Sequence, residues 1–133
     1  MRLEHWPERL LAVIEDDRNH PFAWGHHDCA MLFRRCVDAC TGVDPLADLP
    51  PWFSAATALR ALRCVGFRTA FELVQARFER VPAAAAGRGD VGFMATRDDL
   101  SAPAIIIGTE AVSRNEHGFL VIPASELVAT FKV

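Results

Sequence analysis

Residues 21–40 have the sequence PFAWGHHDCAMLFRRCVDAC, and this stretch decides the fold. From Asp28 onward apolar residues recur every three or four positions, which is the spacing of one face of an α-helix. Asp28 is a residue type that caps helix N-termini, and Thr41 and Gly42 supply a stop. The predicted buried face consists of Cys29, Leu32, Phe33, Cys36, Val37 and Cys40. The stretch therefore predicts a helix over residues 28–40 that packs one face into a core.

Helical patterns also lie on both sides of this stretch. The spacing predicts a first helix over residues 6–17, where Pro7 suits the first turn. Ser54 is expected to cap a third helix that ends at Gly66, and Thr69 to cap a fourth. The fourth helix is expected to turn three residues inward: Phe71, Val74 and Phe78. The N-terminal part of the chain therefore predicts four helices.

After residue 90 the pattern changes to alternating or continuous apolar runs, which are typical of strands. The predicted strands cover residues 91–95, 104–107, 111–113, 119–122 and 129–133. Their short connections favour antiparallel neighbours. Helices within residues 6–81 followed by strands within 90–133 predict an α+β fold, with N-terminal helices packed on a C-terminal antiparallel sheet of four to five strands.

Length and charge limit the classes of protein that the chain can belong to. Its 133 residues are enough for one core, so we expect a single soluble domain over residues 1–133. A formal net charge of −3 excludes a nucleic-acid binder driven by bulk attraction to phosphate. No apolar run is long enough to span a membrane, and the N-terminus does not resemble a secretory signal. The four cysteines show no disulfide framework, so we expect reduced thiols and synthesis in a cytoplasm.

Cys29 is the strongest candidate for a reactive residue. It lies in the first turn of the predicted helix, where unpaired amides and the positive helix end favour a thiolate and could hold an oxyanion. This is the setting of a cysteine nucleophile, provided that an imidazole approaches from elsewhere. The alternative is that Cys29 is a small core residue. The remaining cysteines are expected in the core: Cys36, Cys40 and Cys64.

A metal site is the next candidate that the sequence offers. Donor atoms are present on His26, His27, Cys29, Cys36 and Cys40. There is no CxxC motif, however, and three cysteines on one helical stripe do not form a loop around an ion. We therefore expect neither a metal nor another cofactor.

Taken together, these motifs resemble a known family. An aromatic-x-Trp-Gly-x-x-Asp-Cys segment opens a helix, Gly89-Asp90-Val91 starts the sheet, and the Ile-rich strand over 104–107 ends at Gly108. This order resembles the NlpC-type cell-wall peptidases, the compact bacterial branch of the papain-like fold. It is more closely similar to small proteins encoded in phage and prophage tail-gene clusters. Those proteins share the Pro-Phe-Ala-Trp-Gly opening, the Thr-Gly-x-Asp-Pro that follows the helix, and the Gly-Asp-Val turn.

The resemblance implies roles for several residues and exposes one gap. Cys29 matches the nucleophile, Asp28 matches the acidic residue before it, and Ala102 lies where the family carries its general-base histidine. No histidine occurs between residues 28 and 116, so His117 and His27 remain as candidate bases. His26 is a further candidate. The resemblance implies a substrate-binding role for the residues before the nucleophile: Phe22, which replaces a tyrosine of the peptidases, Trp24 and Gly25.

Two functions remain open at this point. One is a tail-associated cysteine peptidase or amidase that cuts peptidoglycan peptides. The other is a non-catalytic component of the tail tip or of tail assembly that binds other phage tail proteins, with residues 50–53 as a docking patch or as a buried staple. Both imply a protein made in the bacterial cytoplasm and incorporated in a virion tail. A bacterial housekeeping or toxin-immunity domain is a third reading, because one fold hosts many functions.

Overall fold

The computed structural model describes residues 1–95 and 102–133. Four helices occupy the first part of the chain: α1 (Trp6–Arg18), α2 (Cys29–Thr41), α3 (Ala55–Cys64) and α4 (Ala70–Arg77). The strands within the described ranges are β1 (Glu79–Val81), β2 (Val91–Met94), β3 (Ala104–Ile106), β4 (Glu110–Asn115), β5 (Gly118–Pro123) and β6 (Leu127–Lys132). Single 3₁₀ turns cover Ala83–Ala85 and Ala124–Glu126. The order of elements is that of an α+β fold.

The helices begin where the capping residues predict. The side chains of Asp28, Ser54 and Thr69 accept hydrogen bonds from the backbone N–H groups three residues later, at the starts of α2, α3 and α4. Gly42 ends α2 in the left-handed region, with φ of 76°, which glycine adopts without strain. These caps are local, so the sequence is sufficient to place the helix starts.

The sheet has six antiparallel strands in the described residues, in the order β1-β6-β2-β3-β4-β5. The prediction of four to five strands is therefore wrong. The strand that the sequence conceals is β1, which lies within the part predicted to be helical and pairs with β6. Its sequence is Glu79-Arg80-Val81, and the first two residues are exposed, so it lacks the apolar alternation by which strands are recognised.

The main core lies between the helices and one face of the sheet. Ile105 on β3 joins Leu32 and Phe33 of α2 in this core, whereas Ala104 and Ile106 face a smaller cluster on the opposite side. This alternation is the two-residue period of a strand. Edge-to-face aromatic pairs tie α4 to the sheet, with the rings of Phe71 and Phe93 5.2 Å apart.

The burial of the four cysteines differs in part from the prediction. Cys36 and Cys40 are buried on the inward face of α2, as expected, and Cys29 is half-buried. Cys64 is exposed, so its assignment to the core is wrong. It is the last residue of α3, and only Ala61 of that helix is fully buried. No helix within residues 1–95 and 102–133 is both long and apolar enough to span a bilayer.

Candidate functional site

An open groove of about 220 Å³ runs beside the N-terminus of α2, and Cys29 lines it. Segments from three parts of the chain build its walls. Trp24 comes from the loop before α2, Trp52 from the segment before α3, and Pro103 from the residues before β3. The other apolar lining residues are Ala30, Ala55, Ala58, Leu59, Leu62, Ala70 and Ala102. We call this the Cys29 groove, and its walls are almost entirely apolar.

Asp28 holds the groove together rather than facing a ligand. One carboxylate oxygen accepts the backbone N–H of Met31 at 2.7 Å and caps α2. The other accepts both the N–H of Gly25 and the indole Nε1–H of Trp52, each at 2.7 Å. Asp28 is 1% exposed, so its lone pairs are committed to these three donors. Its role in this geometry is to fix the loop before α2 to the segment before α3.

The Cys29 thiol is not activated by its position at the helix start. Burial raises the pKa of Cys29 to about 11, and the neighbouring Asp28 carboxylate raises it further in the same direction. The backbone N–H groups of Ala30 and Cys29 lower the pKa, but by less. The sequence predicts a favoured thiolate, whereas burial beside the Asp28 carboxylate favours the protonated thiol. The helix end contributes a modest stabilisation, whereas desolvation of a thiolate in an apolar groove costs more.

The described part of the groove lining offers no imidazole to accept the thiol proton. Ala102 does line the Cys29 groove, at the position that the resemblance assigns to the base. Among the described residues that line the groove, none is a histidine. His117 is exposed in the turn between β4 and β5, where its backbone N–H binds the side chain of Asn115 at 2.8 Å. His26 is also exposed.

His27 faces a different set of groups, which the sequence does not predict. Its Nδ1 lies 3.2 Å from Oδ1 of Asp17, and its ring stacks on His20 with centroids 4.3 Å apart. Arg114 of β4 reaches the same aspartate, with Nη1 2.8 Å from Oδ2, and donates to the His20 carbonyl at 2.7 Å. We call Asp16, Asp17, His20, His27 and Arg114 the histidine cluster. Asp17 and Arg114 are both buried.

One signal in the sequence points to Asp17. Leu10 and Ile14 are buried residues of α1, and Asp17 lies three positions after Ile14 on the same face. A carboxylate on an apolar helical stripe needs a partner, since an unpaired buried charge is costly. Its partner Arg114 is 97 residues away, so the pairing itself is a product of the tertiary fold.

The loop before Cys29 is shaped by Phe22, Trp24 and Gly25. The rings of Phe22 and Trp24 meet edge to face at 5.0 Å, and Trp24 continues into the groove wall. Gly25 has φ of 79°, and a Cβ built there would overlap the carbonyl oxygen of Trp52. Glycine is therefore required at position 25 by conformation and by space.

Comparison with known proteins gives a family. The model of the DUF6950 family, described as a domain of unknown function, matches residues 1–133. The chain belongs to the DUF6950 family. No curated protein and no solved structure matches it.

Two groups of residues in this DUF6950 domain are candidates for a binding or catalytic role. The Cys29 groove offers apolar surface, a protonated thiol and few polar partners, which suits binding of an apolar group. The histidine cluster offers an imidazole hydrogen-bonded to the buried Asp17–Arg114 ion pair. The donor residues that the sequence analysis weighed lie in different surroundings, since Cys36 and Cys40 are in the core and His26 is exposed.

Proposed function

We propose that this domain is a papain-like, NlpC-type module of a phage or prophage tail that binds a partner in the Cys29 groove without hydrolysing it. The occupant that we propose is an apolar segment of another tail protein. The resemblance of the Trp-Gly-x-x-Asp-Cys and Gly-Asp-Val motifs suggests the fold and the context. The composition of the groove suggests the kind of partner.

The observation that carries the proposal is that Cys29 and Ala102 line one groove. Position 102 is where the resemblance expects a base, and a methyl group cannot accept a proton. A positioned general base typically contributes about 10²–10⁴-fold to a rate, and a cysteine without one is a weak nucleophile. The raised pKa of Cys29 supports the same conclusion, because the thiol is protonated at neutral pH.

The walls of the groove favour an apolar protein segment over a wall peptide. Peptidoglycan peptides carry several carboxylates, and a binding site for them needs cationic or hydrogen-bonding groups. The described lining contributes Trp24, Trp52, Leu59, Leu62 and Pro103, and its one carboxylate, Asp28, is already satisfied. Burial of apolar side chains in such a groove contributes about 25 cal/mol per Å² of area removed from water.

Binding is tested with groove variants and a surface control. Leu59→Asp places a charge in the groove wall, and Val128→Asp places one on β6, where Val128 is 62% exposed. The chain is mixed with purified phage tail proteins, one at a time, and complex formation is measured by sedimentation velocity. We expect one partner to bind, with an affinity that Leu59→Asp lowers at least tenfold and Val128→Asp leaves unchanged. Equal affinity for both variants would contradict a role for the groove.

Hydrolysis is tested separately with wall peptides. Wild-type chain and Cys29→Ala are incubated with peptidoglycan stem peptides, and the products are analysed by mass spectrometry. We expect both to remain at background. Cleavage by the wild type that Cys29→Ala abolishes would overturn the proposal in favour of the peptidase.

A further inference from the structure

Strand β5 forms one edge of the sheet, and no described strand pairs with its outer side. It is six residues long, from Gly118 to Pro123, and none of its residues is charged. The other edge, β1, has only three residues, and Glu79 and Arg80 are charged. Short length and charge are the usual protection of a sheet edge against pairing with another strand. By this criterion β1 is protected and β5 is not.

The register of β5 on β4 shows which of its backbone groups point away from the sheet. Just beyond the strand, the N–H of Ala124 donates to the Thr109 carbonyl at 2.9 Å, in the same register as the β4–β5 pairs. Alternate residues of an antiparallel strand bond to the same neighbour, so the even-numbered residues of β5 bond to β4 and the odd-numbered ones direct their groups outward. Two outward residues have both an N–H and a C=O group, and neither group has a partner among the described residues: Phe119 and Val121.

The side chains of β5 offer apolar contacts on both faces of the sheet. Phe119 packs against the main core on the helix side, and Val121, on the same face, is 47% exposed. Leu120 lies on the opposite face and is half-buried. A strand that pairs with β5 would therefore gain backbone hydrogen bonds and apolar contacts together.

A second copy of β5 is complementary to this edge. With a twofold axis at Leu120, two antiparallel copies place Phe119 of each chain opposite Val121 of the other. Both residues direct their N–H and C=O groups outward, so each of these two pairs can exchange two backbone hydrogen bonds. An aromatic residue opposite a β-branched one is a favourable cross-strand pair, and β5 has no charges that would repel each other.

We propose that this edge is a homodimer interface, in which β5 pairs antiparallel with β5 of a second copy about a twofold axis at Leu120. The two sheets then form one continuous sheet. One strand from each copy is a small contact compared with the ~1,600 Å² of a standard stable interface, so the expected dissociation constant is micromolar. The interface is independent of the groove, because the described lining of the Cys29 groove contains no residue of β5.

The proposal is tested by sedimentation equilibrium of the full chain from micromolar to millimolar concentration, with a reductant so that the exposed Cys64 cannot link two chains. Val121→Lys places a charge on the edge, and Val128→Lys places the same charge on β6, an interior strand where Val128 is 62% exposed. We expect a monomer–dimer equilibrium that Val121→Lys weakens at least tenfold and Val128→Lys leaves unchanged. Val121→Pro removes an outward N–H without removing a bond to β4, and it should also weaken the dimer.

The register is tested by an engineered disulfide. Leu120 would face its own copy at a non-hydrogen-bonded position, where Cα atoms lie ~4.5 Å apart, within the range that a disulfide spans. In a Cys64→Ser background, Leu120→Cys should give a cross-linked dimer on oxidation, whereas Val128→Cys should not. Thermal unfolding of each variant shows that a loss of association is not a loss of structure.

Three results would overturn the proposal. One is a chain that stays monomeric throughout this concentration range, even if its edge then pairs with an extended segment of another protein. The second is dimerisation that Val121→Lys and Val128→Lys affect equally, which would place the interface elsewhere. The third is a dimer in which Leu120→Cys forms no cross-link, which would contradict the twofold register.

Discussion

The segment that precedes α2 contributes to both the Cys29 groove and the histidine cluster, and these two regions differ completely in chemistry. The groove has apolar walls, a thiol whose pKa is raised to about 11, and the carboxylate of Asp28, which caps α2 and binds Gly25 and Trp52. The cluster contains His20 and His27, with Asp17 and Arg114 beneath them. Residues adjacent in sequence are thus separated in space. The imidazole two positions before Cys29 is hydrogen-bonded to Asp17 instead of lining the groove.

The largest expected effect comes from breaking the buried pair of the histidine cluster. Arg114→Met leaves the Asp17 carboxylate buried with His27 as its remaining side-chain partner, and we expect the free energy of unfolding to fall by about 3–5 kcal/mol. Urea unfolding followed by tryptophan fluorescence measures it. The double variant Asp17→Leu/Arg114→Met removes both charges and should be more stable than the single variant. A loss below about 1 kcal/mol for Arg114→Met would contradict this account of the pair.

The next largest loss of stability is expected from substitution of Asp28, beside the Cys29 groove. Asp28→Ala removes the α2 cap, worth about 1 kcal/mol, and leaves the indole N–H of Trp52 without its acceptor, for a further ~1–3 kcal/mol. We expect a total loss of about 3 kcal/mol in the same urea experiment. Asp28→Asn keeps one acceptor oxygen and should lie between the wild type and Asp28→Ala. An Asn variant as unstable as the Ala variant would show that the cap is not a separate contribution.

A comparison of Gly66 with Gly25 distinguishes the cost of a left-handed backbone from the added cost of a steric overlap. Gly66 has φ of 93° with nothing within 4 Å of a built Cβ, so Gly66→Ala should cost about 1 kcal/mol for the left-handed backbone alone. Gly25→Ala adds an overlap with the Trp52 carbonyl and should cost about 2–3 kcal/mol. Thermal unfolding of both variants compares them directly. Equal costs would mean that the wall of the groove yields freely at this point.

The smallest effect is expected at Phe22. Phe22→Tyr adds a hydroxyl to a half-buried ring, and we expect a change in stability within about 0.5 kcal/mol. We expect no gain of hydrolysis, because the described lining of the groove still has no histidine. Phe22→Ala loses the edge-to-face contact with Trp24 and should cost about 1 kcal/mol. Thermal unfolding together with the stem-peptide assay measures both. Hydrolysis by Phe22→Tyr would show that a base is present after all.

The sequence predicts the features that depend on local interactions. The starts of α2, α3 and α4 follow from Asp28, Ser54 and Thr69, because a cap acts within one turn. Strand β1 is not predicted from the sequence, because its pairing with β6 joins residues about fifty positions apart and its side chains are mostly exposed. A short edge strand of this kind has no periodic pattern to detect.

The same distinction applies to the candidate site. The place of Cys29 at the helix start is local and is predicted, whereas the direction of its pKa depends on the walls that α3 and the residues before β3 bring to it. The histidine cluster depends on Arg114, which reaches Asp17 across the fold. Cys64 is misassigned because a cysteine at the last turn of a helix does not reveal from sequence which way that turn faces.

The most direct test of the central claim is the alkylation rate of Cys29 against pH, measured by mass spectrometry in EDTA, with the exposed Cys64 as the internal reference. The raised pKa means that the reactive thiolate is scarce at neutral pH and increases as pH rises toward about 11. We predict that Cys29 labels much more slowly than Cys64 at pH 7 and that its rate still rises about tenfold per pH unit up to pH ~10. A rate that levels off below pH ~8 would show an activated thiolate and would contradict the account of a groove that binds without cleaving.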